Sequence, residues 1–433
     1  MNIQDVAYMG VVGAGGAGFP THVKLDSSPD TLIMNAAECE PLLHKDKELL
    51  RHFPDQVLEG LQIAMQITGA RRSIIGIKKK YQDVIELLSE KINGNISIST
   101  IGDFYPAGDE ITLIYLTTNR LVQPGQLPIS VGCLVQNVET LYNIATKKPV
   151  VEKFVSVAGA VESPATVKVP VGTTYGDILS QFKITARNYV IRSGGLMMGE
   201  LVKDLNQVVT KRTGAIIVLP SDHYCVTMYE RFTTNHDVDR IAKAGCDQCS
   251  FCTEFCPRYL LGYPVRPETA MRNRMFTREG MPFVNPGSAF CCECNLCTMY
   301  ACPESLDPKG AIVIEKKILQ EQNIRWEGLP IAVHPMMDFR KVSTRKLMQR
   351  LDVLQFKDEG PLVDLELTPE VVRIPLSQHV GSPAVPVVEK GDVVQKYDLI
   401  GKASGKISAN IHASITGRVI EVNSKEIVIQ REE

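Results

Sequence analysis

Short apolar runs alternate with amphipathic stretches over the first third of the chain. Thr31 to Ala36 (TLIMNA) and Ser73 to Lys78 (SIIGIK) have the length and apolar content of buried strands. Between them Val57, Leu58, Leu61, Ala64 and Met65 recur at i, i+1, i+4, i+7 and i+8, which is one face of a helix. This rhythm predicts an α/β domain with a parallel sheet over residues 1–148. From 149 to 225 the pattern changes to short β-branched runs, FVSVAGAV, TVKVP and GAIIVLP, around one helix-like insertion, YGDILSQF, as in a small α+β module. Between 236 and 325, helix-forming segments such as ETAMRNRMF and AIVIEKKILQEQ surround closely spaced cysteines. Residues 326–370 show little pattern and read as a linker. From 371 to 433 the text is strongly β, from VVRIPL to EIVIQ, punctuated by Gly381, Gly391, Gly401, Gly405 and Gly417, which predicts an all-β barrel or sandwich.

Composition narrows the class. The 433 residues have room for about three domains. A formal net charge of −2 gives no general attraction to nucleic acid or to an anionic membrane. No apolar run approaches the roughly 18 residues of a spanning helix, and the N-terminus lacks the basic region of a secretory signal, so the expectation is a cytosolic chain without a membrane span. Nine of the 12 cysteines fall between Cys246 and Cys302. In a reducing compartment such clustering indicates metal rather than disulfides.

The spacing Cys246-x2-Cys249-x2-Cys252-x3-Cys256-Pro257 is the run with which bacterial ferredoxins bind 4Fe-4S clusters, its last cysteine serving the other of two clusters. A second run, Cys291-x2-Cys294-x2-Cys297-x4-Cys302-Pro303, has one residue more before its final cysteine. The exchange assigns Cys246, Cys249, Cys252 and Cys302 to one cluster and Cys291, Cys294, Cys297 and Cys256 to the other, leaving Cys292 spare. Zinc is the alternative chemistry for paired C-x2-C motifs. Cys39, Cys133 and Cys225 stand alone and read as small buried hydrophobes.

Near the N-terminus GAGGAGFPTHVK carries Gly13, Gly15, Gly16 and Gly18, a loop type whose backbone can approach a phosphate. With three later segments, NAAECEP, YPAGDE and VQNVET, it resembles the flavin-binding domain of the complex I flavin subunit and of the Rnf-complex C subunit. The resemblance implies FMN as cofactor and NADH as donor. It places Gly13, Gly15 and Lys24 on the FMN phosphate side and Phe19 against the adenine of the nicotinamide nucleotide. It assigns Asn35, Glu38 and Glu40 to the acidic segment, Tyr105, Gly108, Asp109 and Glu110 to the next, and Asn137 and Thr140 to the last. Ala37 and Asp109 depart from the complex I pattern, which has Asp and Glu there. On this view the protein supplies no catalytic acid or base, because the flavin accepts hydride directly.

The middle segment resembles the soluble-ligand-binding β-grasp domain of the same family, and the last resembles a barrel-sandwich module related to lipoyl domains. Its tip, Asn410-Ile411-His412-Ala413, has no lysine to modify, so a covalent carrier is not expected, and His412 and His379 read as packing residues. A barrel placed after the clusters is the module order of the cobalamin reductases of propanediol utilisation. That resemblance implies cobalamin as acceptor, an adenosyltransferase as partner and a bacterial microcompartment as location. The rival readings are an electron-input subunit of an Rnf-like complex, with a protein acceptor, and a scaffold member of a corrinoid enzyme assembly.

Overall fold

The computed structural model describes residues 1–432 except 232–236, 239, 241, 242, 244, 277–282 and 366. The start expected for the cysteine segment, residue 236, lies outside the described residues.

Strands β1 (Thr31–Ala36), β2 (Arg72–Lys78), β3 (Ile96–Ile101), the short β4 (Phe104–Tyr105) and β5 (Cys133–Asn137) belong to the N-terminal region. Four of them form a parallel sheet in the order β3-β2-β1-β5. The crossover helix Pro54–Thr68 opens on proline and stops at Gly69, whose left-handed φ of 71° an L side chain adopts with strain. It buries the five residues whose spacing foretold it. Helix Val138–Ala145 crosses it so closely that a Cβ on Gly60 would lie 1.9 Å from the Leu141 carbonyl oxygen. The sheet order reverses at β1, with β2 and β3 on one side and β5 on the other. A crevice at a reversal opens at the carboxyl ends of the strands, and there Asn35 and Asn137 stand in register.

Next come β6 (Glu152–Gly159), β7 (Ala165–Pro170), β8 (Tyr189–Ser193), β9 (Glu200–Val202) and β10 (Ala215–Pro220). They build a mixed sheet in the order β12-β7-β6-β10-β8-β9, whose edge strand β12 (Leu362–Val363) comes from the stretch expected to be a linker. The same stretch supplies β11 (Val342–Ser343), antiparallel to β4, and helix Thr344–Arg350. It therefore ties the N-terminal region, through β4, to the second sheet. Strands of two residues are too short to show alternation, which is why no pattern announced them.

In the cysteine region helices Pro267–Phe276 and Pro308–Glu321 pack on each other. The C-terminal region is all β. Strands β13 (Val371–Pro375), β15 (Val393–Val394), β18 (Gly417–Val422) and β19 (Glu426–Arg431) make one sheet, and β14 (Val385–Pro386), β16 (Leu399–Lys402) and β17 (Ile411–His412) the other. Val372, Ile374, Ile400, Val419, Ile427 and Ile429 are fully buried between them. Among the described residues no helix is long and apolar enough to cross a membrane.

Candidate functional site

The glycine loop is a closed turn. Val12 bridges Pro20, and the Gly13 amide donates to the Phe19 carbonyl at 2.9 Å. The Ala14 amide donates to Thr140 Oγ1 at 3.0 Å, which fastens the loop to the start of helix Val138–Ala145. A Cβ on Gly15 would sit 2.8 Å from Asn137 Nδ2, whereas Gly16 meets nothing within 4 Å. One glycine thus permits close approach to the crevice residue and the next leaves open space in front of the backbone. Phe19 stands 37% exposed at the rim. Lys24 pairs with Glu110 at 2.7 Å, and Asn35 donates to the Gly108 carbonyl at 2.9 Å. Gly13, Gly15, Lys24, Asn35, Gly108, Glu110, Asn137 and Thr140, named from distant segments, are so connected around one crevice.

Beneath the loop lies a charge network that sequence reasoning missed. Lys45, Asp46, Glu139 and Lys153 are all buried. Lys45 bridges Asp46 at 2.6 Å and Glu139 at 3.0 Å, Lys153 pairs with Glu139, and Asn137 Nδ2 donates to Asp46 at 2.7 Å. Lys153 also donates to the Ala14 carbonyl at 3.3 Å. Burial alone would lower the Lys45 ammonium, but Asp46 and Glu139 hold it above its usual range. Burial pulls Lys153 down to about 8 despite Glu139. The available signal was Glu139 itself, inside VQNVET between Asn137 and Thr140.

Glu38 is raised to about 7, chiefly by burial and then by the charge of Asp46. Its Oε1 accepts from the Asp46 amide at 3.4 Å, and its Oε2 is buried without a partner. A cavity of about 210 Å³ opens beside it, lined also by His44, Lys47, Lys80 and Tyr81. The orphaned carboxylate oxygen of Glu38 and the open space before Gly16 fit a bound flavin nucleotide, while the cavity meets this set only at Glu38. Glu38, Asn35, Asn137 and the loop amides would hold the nucleotide.

Three residues of the expected flavin set have their polar atoms engaged elsewhere. Glu40 accepts from the Met197 and Met198 amides at 2.9 and 3.0 Å, because the β8–β9 loop folds over it. Tyr105 is buried, and its hydroxyl donates to the Cys294 carbonyl at 2.8 Å. Asp109 caps helix Glu110–Thr118 with one oxygen and pairs with Arg258 through the other at 2.8 Å. The last two contacts dock the flavin region onto the cysteine runs.

The two runs share one backbone design. Gln248 and Ser250 flank Cys249 with φ of 55° and 65°, and Glu293 and Asn295 flank Cys294 with φ of 56° and 65°. Four non-glycine residues in the left-handed region at matching positions are sustained strain of the kind found at ligand clamps. Cys246, Cys249, Cys252 and Cys302 line one cavity, the ligand set expected from the exchange. Cys297 lies within electrostatic reach of Cys291, then Cys256, then Cys252, and burial above all raises its thiol. The extra residue of the second run is absorbed as a π-helical turn over Cys297–Ala301, where the first run has the α-helical turn Phe251–Glu254. Among the described residues no three Cys, His, Asp or Glu side chains converge as one ion requires. The cavity ringed by Cys246, Cys249, Cys252 and Cys302 suits a cluster, whose ligands stand farther apart than those of a single zinc ion. Cys133 and Cys225 are buried, and Cys39 is intermediate.

Comparison with known proteins follows the same division. Residues 6–146 match the Nuo51 FMN-binding domain, 245–307 a 4Fe-4S dicluster domain, and 355–432 the RnfC barrel sandwich hybrid domain. Cobalamin reductase PduS of Salmonella typhimurium is 37% identical over 434 aligned residues, covering 99% of this chain and 96% of that protein. Its counterpart from Citrobacter freundii is 36% identical with the same coverage. The crystal structure of an NAD+-reducing NiFe-hydrogenase in the H2-reduced state, 20% identical, superposes with a TM-score of 0.51 over 76% of this chain and 63% of that one, a likeness of fold. With an FMN-binding domain, a 4Fe-4S dicluster domain and near full-length similarity to these reductases, the chain belongs to the PduS family of oxidoreductases, a branch of the Rnf C-subunit family.

Proposed function

We propose that the protein is an NADH-dependent cobalamin reductase that uses FMN and two 4Fe-4S clusters. The observation that carries this reading is the double link between the two cofactor regions, Tyr105 to the Cys294 carbonyl and Asp109 to Arg258, both at 2.8 Å. Bound FMN supplies hydride acceptance with release of single electrons, and the clusters supply one-electron carriage. The chain's own contribution is positional. The loop amides and Lys24 serve the phosphate, Asn35 and Asn137 hold the crevice, and the exposed Phe19 ring offers a stacking face for the nucleotide. Cys246, Cys249, Cys252 and Cys302 would hold one cluster and Cys256, Cys291, Cys294 and Cys297 the other.

The finer division accompanying this reading is a flavin domain at 1–148, a β-grasp domain at 149–225, a two-cluster domain at 236–325, a connecting stretch at 326–370 and a barrel-sandwich domain at 371–433. The names of the relatives support cobalamin as acceptor. An adenosyltransferase partner and a cytoplasmic bacterial microcompartment complete the reading. The RnfC barrel match favours a second one, an electron-input subunit with a protein acceptor.

Anaerobic preparation, iron, sulfide and flavin analysis, and NADH titration in the presence of cobalamin decide between them. The proposal expects about eight irons and one FMN per chain and a reduced corrinoid. Cys249→Ala is expected to abolish corrinoid reduction while NADH still bleaches the flavin. Cofactors reduced by NADH with cobalamin untouched would transfer the assignment to the second reading.

A further inference from the structure

Arg258 follows Cys256-Pro257 and is 8% exposed. One guanidinium nitrogen, Nη2, pairs with Asp109, while Nε and Nη1 are buried with no partner. A buried N–H without an acceptor is expensive, and an arginine is never deprotonated to escape it. The guanidinium carbon stands 5.4 Å from the centre of the Tyr263 ring, and the thiols within its electrostatic reach are Cys292 and the expected ligand Cys256. The other cation there, Lys316, donates to the Cys291 carbonyl at 2.7 Å and is paired with Glu293 at 2.6 Å. The first cluster site has cations of its own: its cavity is lined by Asp247, Glu268 and Glu304, Arg350 donates to the Cys302 carbonyl at 3.2 Å, and Arg272, whose Nε is buried without a partner, reaches the Gln248 carbonyl at 3.5 Å.

We infer that Arg258 donates its two free N–H groups to the sulfur shell of the cluster bound by Cys256, Cys291, Cys294 and Cys297, and raises the potential of that cluster. Hydrogen bonds to sulfur and positive charge both favour the more negative, reduced cluster. The inference rests on the two-cluster reading.

The test is a potentiometric titration followed by EPR on the anaerobically reconstituted full chain, with iron and sulfide content as the loading check. In Arg258→Gln one of the two midpoints is expected to fall so that the reduced-to-oxidised ratio at fixed potential drops about tenfold, roughly 59 mV for one electron, while the other stays. Arg258→Lys, which keeps charge but not the fork, is expected to shift it less. Asp109→Asn removes the compensating anion and is expected to move the same midpoint upward. A fully loaded Arg258→Gln with both midpoints unchanged would overturn the inference. If that variant does not hold its iron, an unmoved midpoint in Asp109→Asn overturns it instead. A parent chain that binds no iron would defeat the cluster reading itself, a separate and recognisable failure.

Discussion

Gly15 and Gly16 are neighbours with different duties. At Gly15 a methyl group would strike Asn137, so Gly15→Ala forces the loop away from the crevice at a cost of about 1–3 kcal/mol. FMN affinity is then expected to fall roughly tenfold or more, with the melting temperature lowered as well. At Gly16 the methyl meets only open space, so Gly16→Ala is expected to melt like the parent and to lose affinity alone. Flavin content and thermal melts of the two variants separate these outcomes. Glu38 gives a pH prediction. Its folded pKa of about 7 lies above the ordinary 4.5, so the folded state keeps the proton longer than the unfolded one. In the flavin-free protein the penalty for ionising Glu38 is absent below about 4.5 and grows as pH rises through 7. Glu38→Gln removes that penalty, so its melting temperature is expected to exceed the parent's at pH 8 and to match it near pH 4.5. Parallel melting curves at both pH values would exclude this account.

At the scale of elements, the network of Lys45, Asp46, Glu139 and Lys153 fastens β6 and helix Val138–Ala145 to the glycine loop. Lys153→Met leaves Glu139 buried with one cation fewer, and breaking such a pair costs about 3–5 kcal/mol. Urea denaturation is expected to show that loss, with a smaller one when Glu139→Leu is added, since both charges then leave together. A double variant as unstable as the single one would show that the pair is not what the loop depends on. Regular elements were legible wherever period and length sufficed: TLIMNA became β1, and the stripe from Val57 to Met65 became part of helix Pro54–Thr68. The two-residue strands β11 and β12 were not, because pairing with β4 and β7, rather than any local preference, makes them strands.

At the scale of the whole molecule, the 245–307 segment depends on ligands that the first two sheets do not need. Its four left-handed residues beside Cys249 and Cys294 are held where thiolates would meet a cluster, and metal binding contributes folding energy directly. Chelation of iron is therefore expected to open this segment to trypsin at Arg258 and Arg272 while residues 1–225 stay resistant, as read by mass spectrometry of the fragments. Uniform cleavage along the chain would contradict that division.

The sequence by itself determined the cysteine spacing, the parallel-sheet rhythm and the β-rich C-terminus, since these depend on neighbours within a few residues. It also supplied the candidate members of the flavin site, through the glycine loop and three motifs. The tertiary structure decided what those members do. Glu40 turns to the β8–β9 loop, and Tyr105 and Asp109 turn to the cysteine runs, because partners more than a hundred residues away offer the hydrogen bonds their buried atoms require. Local pattern records which side chains are available, and only long-range packing selects the group that each one meets.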